Sequence, residues 1–320
     1  RLGGKDIHIV TARVPGCEAH DAQHANTVHR LDLKRSPWLR PESLAMYLKL
    51  LLKSVQIMLT QRIDAVHAGR VLPEGLVGWC VARLFRKPLV IYAHGEEITT
   101  WRQSGKFRAM RFAYRHADKV IANSEFTKDE LQKIGVSEQR ITLINPGVDI
   151  ARFAPGLPCD DLRAQAGCAA SDKLLLSVGR LSRRKGFDQV IRCLPGLLRE
   201  FPNLQYAIIG IGEDQAYLEE LARECSVEAN VHLLGHVSVA DLPRWYNAAD
   251  VFVLPNREIE GDTEGFGMVF VEAAACGVPV IAGNAGGTAS SVSEGVTGYR
   301  IDGGSPGAVG DALRRLLTDR

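Results

Sequence analysis

The 320 residues contain no Cys-x-x-Cys pair, no Asp-x-Asp, no Gly-x-Ser-x-Gly and no Gly-x-x-x-x-Gly-Lys-Ser/Thr. Each absence removes a class of chemistry. The seven cysteines (17, 80, 159, 168, 193, 225 and 276) are scattered, which argues against a disulfide framework or a zinc site and suits a reducing cytoplasm. Without Asp-x-Asp, a common carboxylate device for holding a metal against a diphosphate is missing, and no metal or other cofactor is expected. Gly210-Ile-Gly212-Glu213 lacks the third glycine of Gly-x-Gly-x-x-Gly, so a nicotinamide dinucleotide site is poorly supported. His20-x-x-x-His24 has metal-like spacing but no helical context, and it reads as a loop. Long apolar runs are missing too. The best, Leu44 to Leu59, is broken by Lys49 and Lys53 and falls short of the ~20 residues of a membrane span.

What remains has the composition of an ordinary soluble globular protein, 46% hydrophobic and 24% charged, and enough length for two domains. The net charge of +2 hides an asymmetry: residues 1–150 carry 23 Lys and Arg against 15 Asp and Glu, and the remainder 16 against 22. A basic N-terminal half suggests an anionic partner, and an anionic membrane surface or lipid-linked acceptor fits better than nucleic acid. Within that half, Phe107, Met110 and Tyr114 mark a buried helical stripe, while Arg108, Arg111 and Arg115 repeat the spacing on a neighbouring face. Such a face is usually only solvated. Docked on anionic lipid, it would contribute about 1 kcal/mol per near-surface basic residue. The expected location is cytoplasmic, peripheral on the inner membrane face.

Short apolar strands alternate with amphipathic helices, the pattern of parallel sheets covered on both faces. In the N-terminal half, strands are expected at Ile7–Thr11, Val28–Leu33, Ala65–His67, Leu89–Ala93, Lys119–Ala122 and Ile141–Ile144. Helices are expected near Pro41–Thr60, Gly75–Phe85, Lys106–Arg115 and Phe126–Ile134, the last with Ser124 as N-cap. Strands follow at Leu174–Val178, Tyr206–Ile209, Val231–Leu234, Val251–Leu254 and Val278–Ala282. The turn-rich Asn145-Pro-Gly-Val-Asp149 is the expected hinge, which divides the chain into domains 1–147 and 148–320.

The most informative segment is Glu264-Gly-Phe-Gly-Met-Val-Phe-Val-Glu272. Two carboxylates bracket a Gly-rich turn that opens a helix ending at Gly277, and such a turn offers backbone N–H groups and a positive dipole end to phosphate or polarised hydroxyls. One ligand with hydroxyls at both ends, such as a nucleotide sugar, would meet both carboxylates. Taken alone, Glu264 and Glu272 also read as ordinary helix carboxylates, and Arg180, Arg183, Arg184 and Lys185 as a solvated loop.

Together with Gly179-Arg180-Leu-Ser-Arg-Arg-Lys185-Gly186, this segment resembles the E-x7-E element and the Gly-Arg-x-x-x-x-Lys-Gly element of retaining GT-B glycosyltransferases, most closely family 4, with a likeness to the phosphatidylinositol mannosyltransferase-like group 1 enzymes. The resemblance runs from about Val90 to the last residue. It implies two Rossmann-like doubly wound α/β domains facing across a cleft, and retaining, metal-independent transfer of a hexose from a UDP- or GDP-sugar to a lipid-linked, polysaccharide or small-molecule hydroxyl. In that reading Arg180 and Lys185 grip the diphosphate beside Gly179, Glu264 takes sugar hydroxyls, and Glu272 takes the ribose. Phe266, Gly267 and Met268 offer backbone N–H groups, and His236 and Val237 present backbone to the base. His94, at a strand end where ligands of open parallel sheets bind, lies beside the transferred sugar; a structural histidine is its plainer reading. Gly283-Asn-Ala-Gly286-Gly287-Thr288 lines the sugar pocket or is a simple turn. Family members usually begin with a strand and Gly-Gly loop, and end on a crossing helix. Gly3-Gly4 directly precedes its strand and is not that loop, so a fragment or shortened variant is expected. Rivals are another GT-B enzyme, an epimerase or phosphorylase, and a non-catalytic nucleotide-sugar-binding fragment.

Overall fold

The computed structural model describes residues 7–23, 25–33, 44–101, 105–169 and 171–318. Gly3-Gly4, His24, the predicted helix start at Pro41 and residues 102–104 lie outside this set. The chain forms two compact units. The first contains the chain up to Ala93 together with Trp101–Ala122 and Leu131–Thr142; the second contains His94–Thr100, Asn123–Glu130 and Leu143–Arg320.

The strands of the first unit are β1 (His8–Ala12), β2 (Thr27–Leu31), β3 (Val66–Ala68), β4 (Leu89–Ala93), β5 (Lys119–Ala122) and β6 (Ile141–Leu143). They make two parallel sheets, β1-β2 and β3-β4-β5-β6. In β4, Leu89, Ile91 and Ala93 are buried and alternate with half-buried neighbours, as a strand's two-residue period requires. Helices along this half are α1 (Cys17–Ala22), α2 (Leu44–Thr60), α3 (Leu76–Phe85), α4 (Glu96–Thr100), α5 (Gly105–His116) and α6 (Glu125–Lys133). Helix α1 corrects the expected loop around His20: Arg30, from β2, holds Asp21 of this helix through hydrogen bonds of 2.9 and 2.7 Å. Ser124 caps α6, its hydroxyl accepting the Thr127 N–H at 3.1 Å. In α5, Met110, Ala113 and Tyr114 are buried. Arg111 on its outer face donates to the Ile134 carbonyl at 2.8 Å and so is tied to the chain just beyond α6.

The second unit carries β7 (Leu174–Val178), β8 (Gln205–Ile209), β9 (Val231–Gly235), β10 (Val251–Leu254), β11 (Val280–Gly283) and β12 (Gly298–Ile301). Its six-stranded parallel sheet runs β12-β11-β10-β7-β8-β9. Helices α7 (Asp160–Gln165), α8 (Phe187–Leu197), α9 (Gln215–Glu224), α10 (Leu242–Ala248), α11 (Met268–Ala275) and α12 (Pro306–Thr318) accompany it. Strands β7 and β10 are buried along their whole length, as strands covered on both faces are. Trp245, Tyr206, Tyr246, Phe187, Phe252 and Phe270 fill the core around them. The chain leaves β7 towards β8 and β9 on one side, then returns to β10 on the other. This reversal between β7 and β10 is the topological switch point, and ligands of open α/β sheets bind outside the carboxyl ends of strands at such a point. Among the described residues no helix is long and apolar enough to cross a membrane.

Candidate functional site

The loop after β7 runs through Gly179 and Arg180 into a single 3-10 turn, Arg183–Lys185, and then α8. Gly186 joins turn to helix with φ 78°, and a Cβ there would stand 2.1 Å from the Pro255 carbonyl oxygen. Only glycine accepts both the left-handed backbone and that approach. The turn sends Lys185 inwards: its side chain is 11% exposed, and its Nζ lies 2.5 Å from Glu264 Oε2.

Glu264 arrives from the segment after β10. Its main chain is held by the Gly287 N–H, which donates to the Glu264 carbonyl at 2.7 Å. A Cβ on Gly287 would sit 2.0 Å from the Gly265 carbonyl oxygen, so the Gly286–Ser290 turn packs directly on the Glu264–Gly265 backbone. Ser124, fully buried, donates its hydroxyl to the same Gly265 carbonyl at 2.7 Å. Next to it, Asn123 Nδ2 donates to the His94 carbonyl at 3.1 Å. His94 follows β4 directly, and its own N–H donates to Glu97 Oε1 at 3.1 Å. The His94 backbone is thus tied through Asn123 to the Ser124 cap that holds Gly265.

Arg184 also reaches Glu264. Its Nη1 donates to Glu264 Oε2 at 3.2 Å, its Nε pairs with Asp262 at 3.0 Å, and Nη2 stands 3.8 Å from Glu96. The Arg184 backbone is fixed in turn: its carbonyl accepts the Arg257 N–H at 2.7 Å, and Arg257 makes a two-pronged pair with buried Asp188 at 3.0 and 2.9 Å. Burial pushes the Glu264 carboxyl up, but the charges and hydrogen bonds of Lys185 and Arg184 outweigh it and leave the group below the ordinary carboxylate range.

Arg180 stands elsewhere. Its side chain is 72% exposed and pairs with Glu213 at 3.0 Å. With Gly179, His236 and Val237 it lines a groove of about 660 Å³ formed by the loops after β7, β8 and β9. Glu272, on α11, accepts a 2.7 Å hydrogen bond from Tyr246. Burial, and then the nearby Glu272 charge, push that phenol well up. Phe266 is buried, Gly267 caps α11 without a side-chain hydrogen bond, and Met268 is the first helical residue. Seven of the predicted residues therefore fall into three groups: Lys185 with Glu264, the groove of Gly179, Arg180, His236 and Val237, and Glu272, which Tyr246 holds; Phe266, Gly267 and Met268 form the start of α11, and His94 stands at the end of β4. The first two groups adjoin, because the Lys185 stem passes 3.7 Å from where a Gly179 Cβ would stand. Among the described residues no group of three His, Cys, Asp or Glu is placed to hold a metal.

Arg184, Asp262 and Tyr246 are site-adjacent residues that sequence reading passed over. The signal for Arg184 was its place beside Lys185 in a basic triplet: a turn with three residues per repeat separates neighbouring side chains, so one triplet serves both solvent and interior.

A protein-family model described as Glycosyl transferases group 1 matches residues 160–320, and one described as Glycosyltransferase Family 4 matches residues 3–152. A GDP-mannose-dependent alpha-(1-6)-phosphatidylinositol monomannoside mannosyltransferase of Mycolicibacterium smegmatis is 32% identical over 320 residues, covering 98% of this chain and 82% of that protein. A D-inositol 3-phosphate glycosyltransferase of Thermobifida fusca is 34% identical over 278 residues, 80% of this chain and 62% of its own length. Among solved structures, Anabaena HepE in complex with UDP and glucose superposes with a TM-score of 0.79 at 23% identity, covering 97% of this chain and 82% of that one.

Proposed function

The chain belongs to the group 1 glycosyltransferases and is a nucleotide-sugar glycosyltransferase of the GT-B fold, and from that premise we propose a retaining, metal-independent hexosyl transfer to a lipid-linked hydroxyl. GDP-mannose is the first donor to test, because relatives sharing about a third of the sequence are named for it. The observation that carries the reading is the buried Lys185–Glu264 contact at the β7/β10 switch point. It supports the reading because a fixed cation would meet a diphosphate there and a fixed carboxylate an adjoining sugar. The base and ribose would occupy the groove beside His236 and Val237 and reach Glu272. Lys185, with Arg180 turned in from Glu213, would neutralise the diphosphate as it departs, and such charge contacts act most strongly in the transition state. Backbone N–H groups at Phe266, Gly267 and Met268 would hold sugar and phosphate, and the His94 backbone would border the sugar.

Attack on the same face as the leaving group, with a phosphate oxygen accepting the acceptor proton, gives retention. Metal independence rests on the missing Asp-x-Asp and on these cations as its substitute. For the acceptor side, Leu48, Leu52 and Leu59 stand 46%, 68% and 72% exposed on α2, close in sequence to Lys49 and Lys53, which suits peripheral docking on the cytoplasmic face of an anionic membrane.

The test incubates the protein with GDP-mannose and vesicles containing mannosylated phosphatidylinositol, with and without chelator, and reads the product's anomeric configuration by NMR. An α-linked product at equal rate in chelator is expected. A β-linked product overturns retention, and loss of turnover in chelator overturns metal independence.

A further inference from the structure

Lys185 is already neutralised. Its ammonium sits on Glu264 Oε2 at 2.5 Å with both side chains almost wholly buried. A diphosphate needs that same ammonium, and on arriving it meets the Glu264 carboxylate as a like charge. Arg184 donates to the same oxygen and is itself committed to Asp262 and Glu96. Both side-chain hydrogen bonds to the Glu264 carboxylate among the described residues fall on Oε2, so a ligand hydroxyl would be met by Oε1.

We infer that Glu264 withholds Lys185 from a bare nucleoside diphosphate and releases it to one that carries a sugar, so that the pair sets preference for donor over product. The inference rests on the donor-site reading above. A sugar beside the diphosphate brings hydroxyls that donate to Glu264. The carboxylate then keeps its hydrogen-bond partners when Lys185 turns to phosphate, and Arg184 keeps it in place. A bare diphosphate offers no such donors. Taking Lys185 would leave a buried carboxylate with one cation fewer beside a second anion, an arrangement that is costly in a poorly solvated site.

Calorimetric titration of the whole chain with GDP, UDP and their mannose and glucose conjugates tests this, comparing wild type with Glu264→Gln. Removing the carboxylate charge should tighten nucleoside diphosphate binding on the order of tenfold, while binding of the sugar conjugate weakens or holds, so the preference for donor narrows or inverts. Equal or weaker nucleoside diphosphate binding by a folded Glu264→Gln overturns the inference and leaves the donor site standing. If wild type binds none of the ligands, the donor-site reading falls and the inference with it. Should Glu264→Gln fail to fold, wild type alone decides. Free mannose or glucose at high concentration should tighten binding of the nucleoside diphosphate, because linkage is reciprocal. No such synergy overturns the inference.

Discussion

Replacing Lys185 by methionine removes one charge and keeps most of the stem that packs beside Gly179. Breaking a buried ion pair by deleting one partner costs about 3–5 kcal/mol when nothing takes its place. Here Arg184 stays on the same oxygen at 3.2 Å, so the loss of stability at neutral pH should be nearer about 1–3 kcal/mol. Solvent screens little of this, with the two side chains 11% and 13% exposed. The loss has a signed pH dependence. The Glu264 carboxyl is held below its ordinary value of 4.5 because Lys185 and Arg184 outweigh burial. A depressed folded value contributes stability that is present above 4.5 and lost as pH falls through the folded value. Without Lys185 burial gains ground and the carboxyl moves up, each unit being about 1.36 kcal/mol. Lys185→Met should therefore be least stable relative to wild type at neutral pH, and the gap should shrink as the solution is acidified below the carboxylate range. Urea denaturation of both proteins at neutral and acidic pH measures it. A gap that is absent at neutral pH, or that stays constant on acidification, refutes the electrostatic reasoning.

Arg180→Ala should leave stability within about 0.5 kcal/mol, because an exposed pair contributes little, yet weaken donor binding by calorimetry; unchanged affinity would remove Arg180 from the diphosphate. Tyr246→Phe strips Glu272 of its 2.7 Å hydrogen bond and should cost about 1–2 kcal/mol of stability and some nucleotide affinity. Both staying at wild-type values would mean that Tyr246 does not orient Glu272. Gly287→Ala forces a Cβ to within 2.0 Å of the Gly265 carbonyl oxygen. The clash should lower stability by about 1–3 kcal/mol and displace Glu264, and an unchanged melting temperature with normal donor binding would contradict it. Neutralising Arg108 and Arg115 together should weaken sedimentation with anionic liposomes and leave neutral ones unaffected; equal binding to both removes the membrane role.

Strands β4, β5, β7 and β10 were legible to the residue, because each is a short apolar run bounded by turn formers. Strand β12 was not: Gly298-Tyr-Arg-Ile301 lies at a sheet edge, where a glycine and an arginine are tolerated and the apolar signal fades. Helices α1 and α4 escaped notice at six and five residues, below the two or three turns that periodicity needs. At the site, Glu264, Lys185 and the Gly-rich turns could be read because their types and spacing constrain the backbone. The hold of Arg184 on Glu264 and of Tyr246 on Glu272 could not. Arg184 looks like any solvated arginine until the 3-10 turn aims it inwards. Tyr246, on α10, meets Glu272 from 26 residues away, a distance over which no local pattern reports. Ser124 was legible as an N-cap but not as the hydroxyl that also holds Gly265, because a cap is local and a contact 141 residues away is not.

The central claim, a nucleotide-sugar site at the β7/β10 switch point, is tested most directly by thermal-shift titration with GDP, UDP, ADP and their common sugar conjugates, run beside Glu272→Ala. A ligand at 100 times its dissociation constant adds about 2.7 kcal/mol, a rise of a few degrees. The account predicts such a rise with one nucleotide series and its loss in Glu272→Ala. No rise with any nucleotide, or an equal rise in Glu272→Ala, would contradict the site as described.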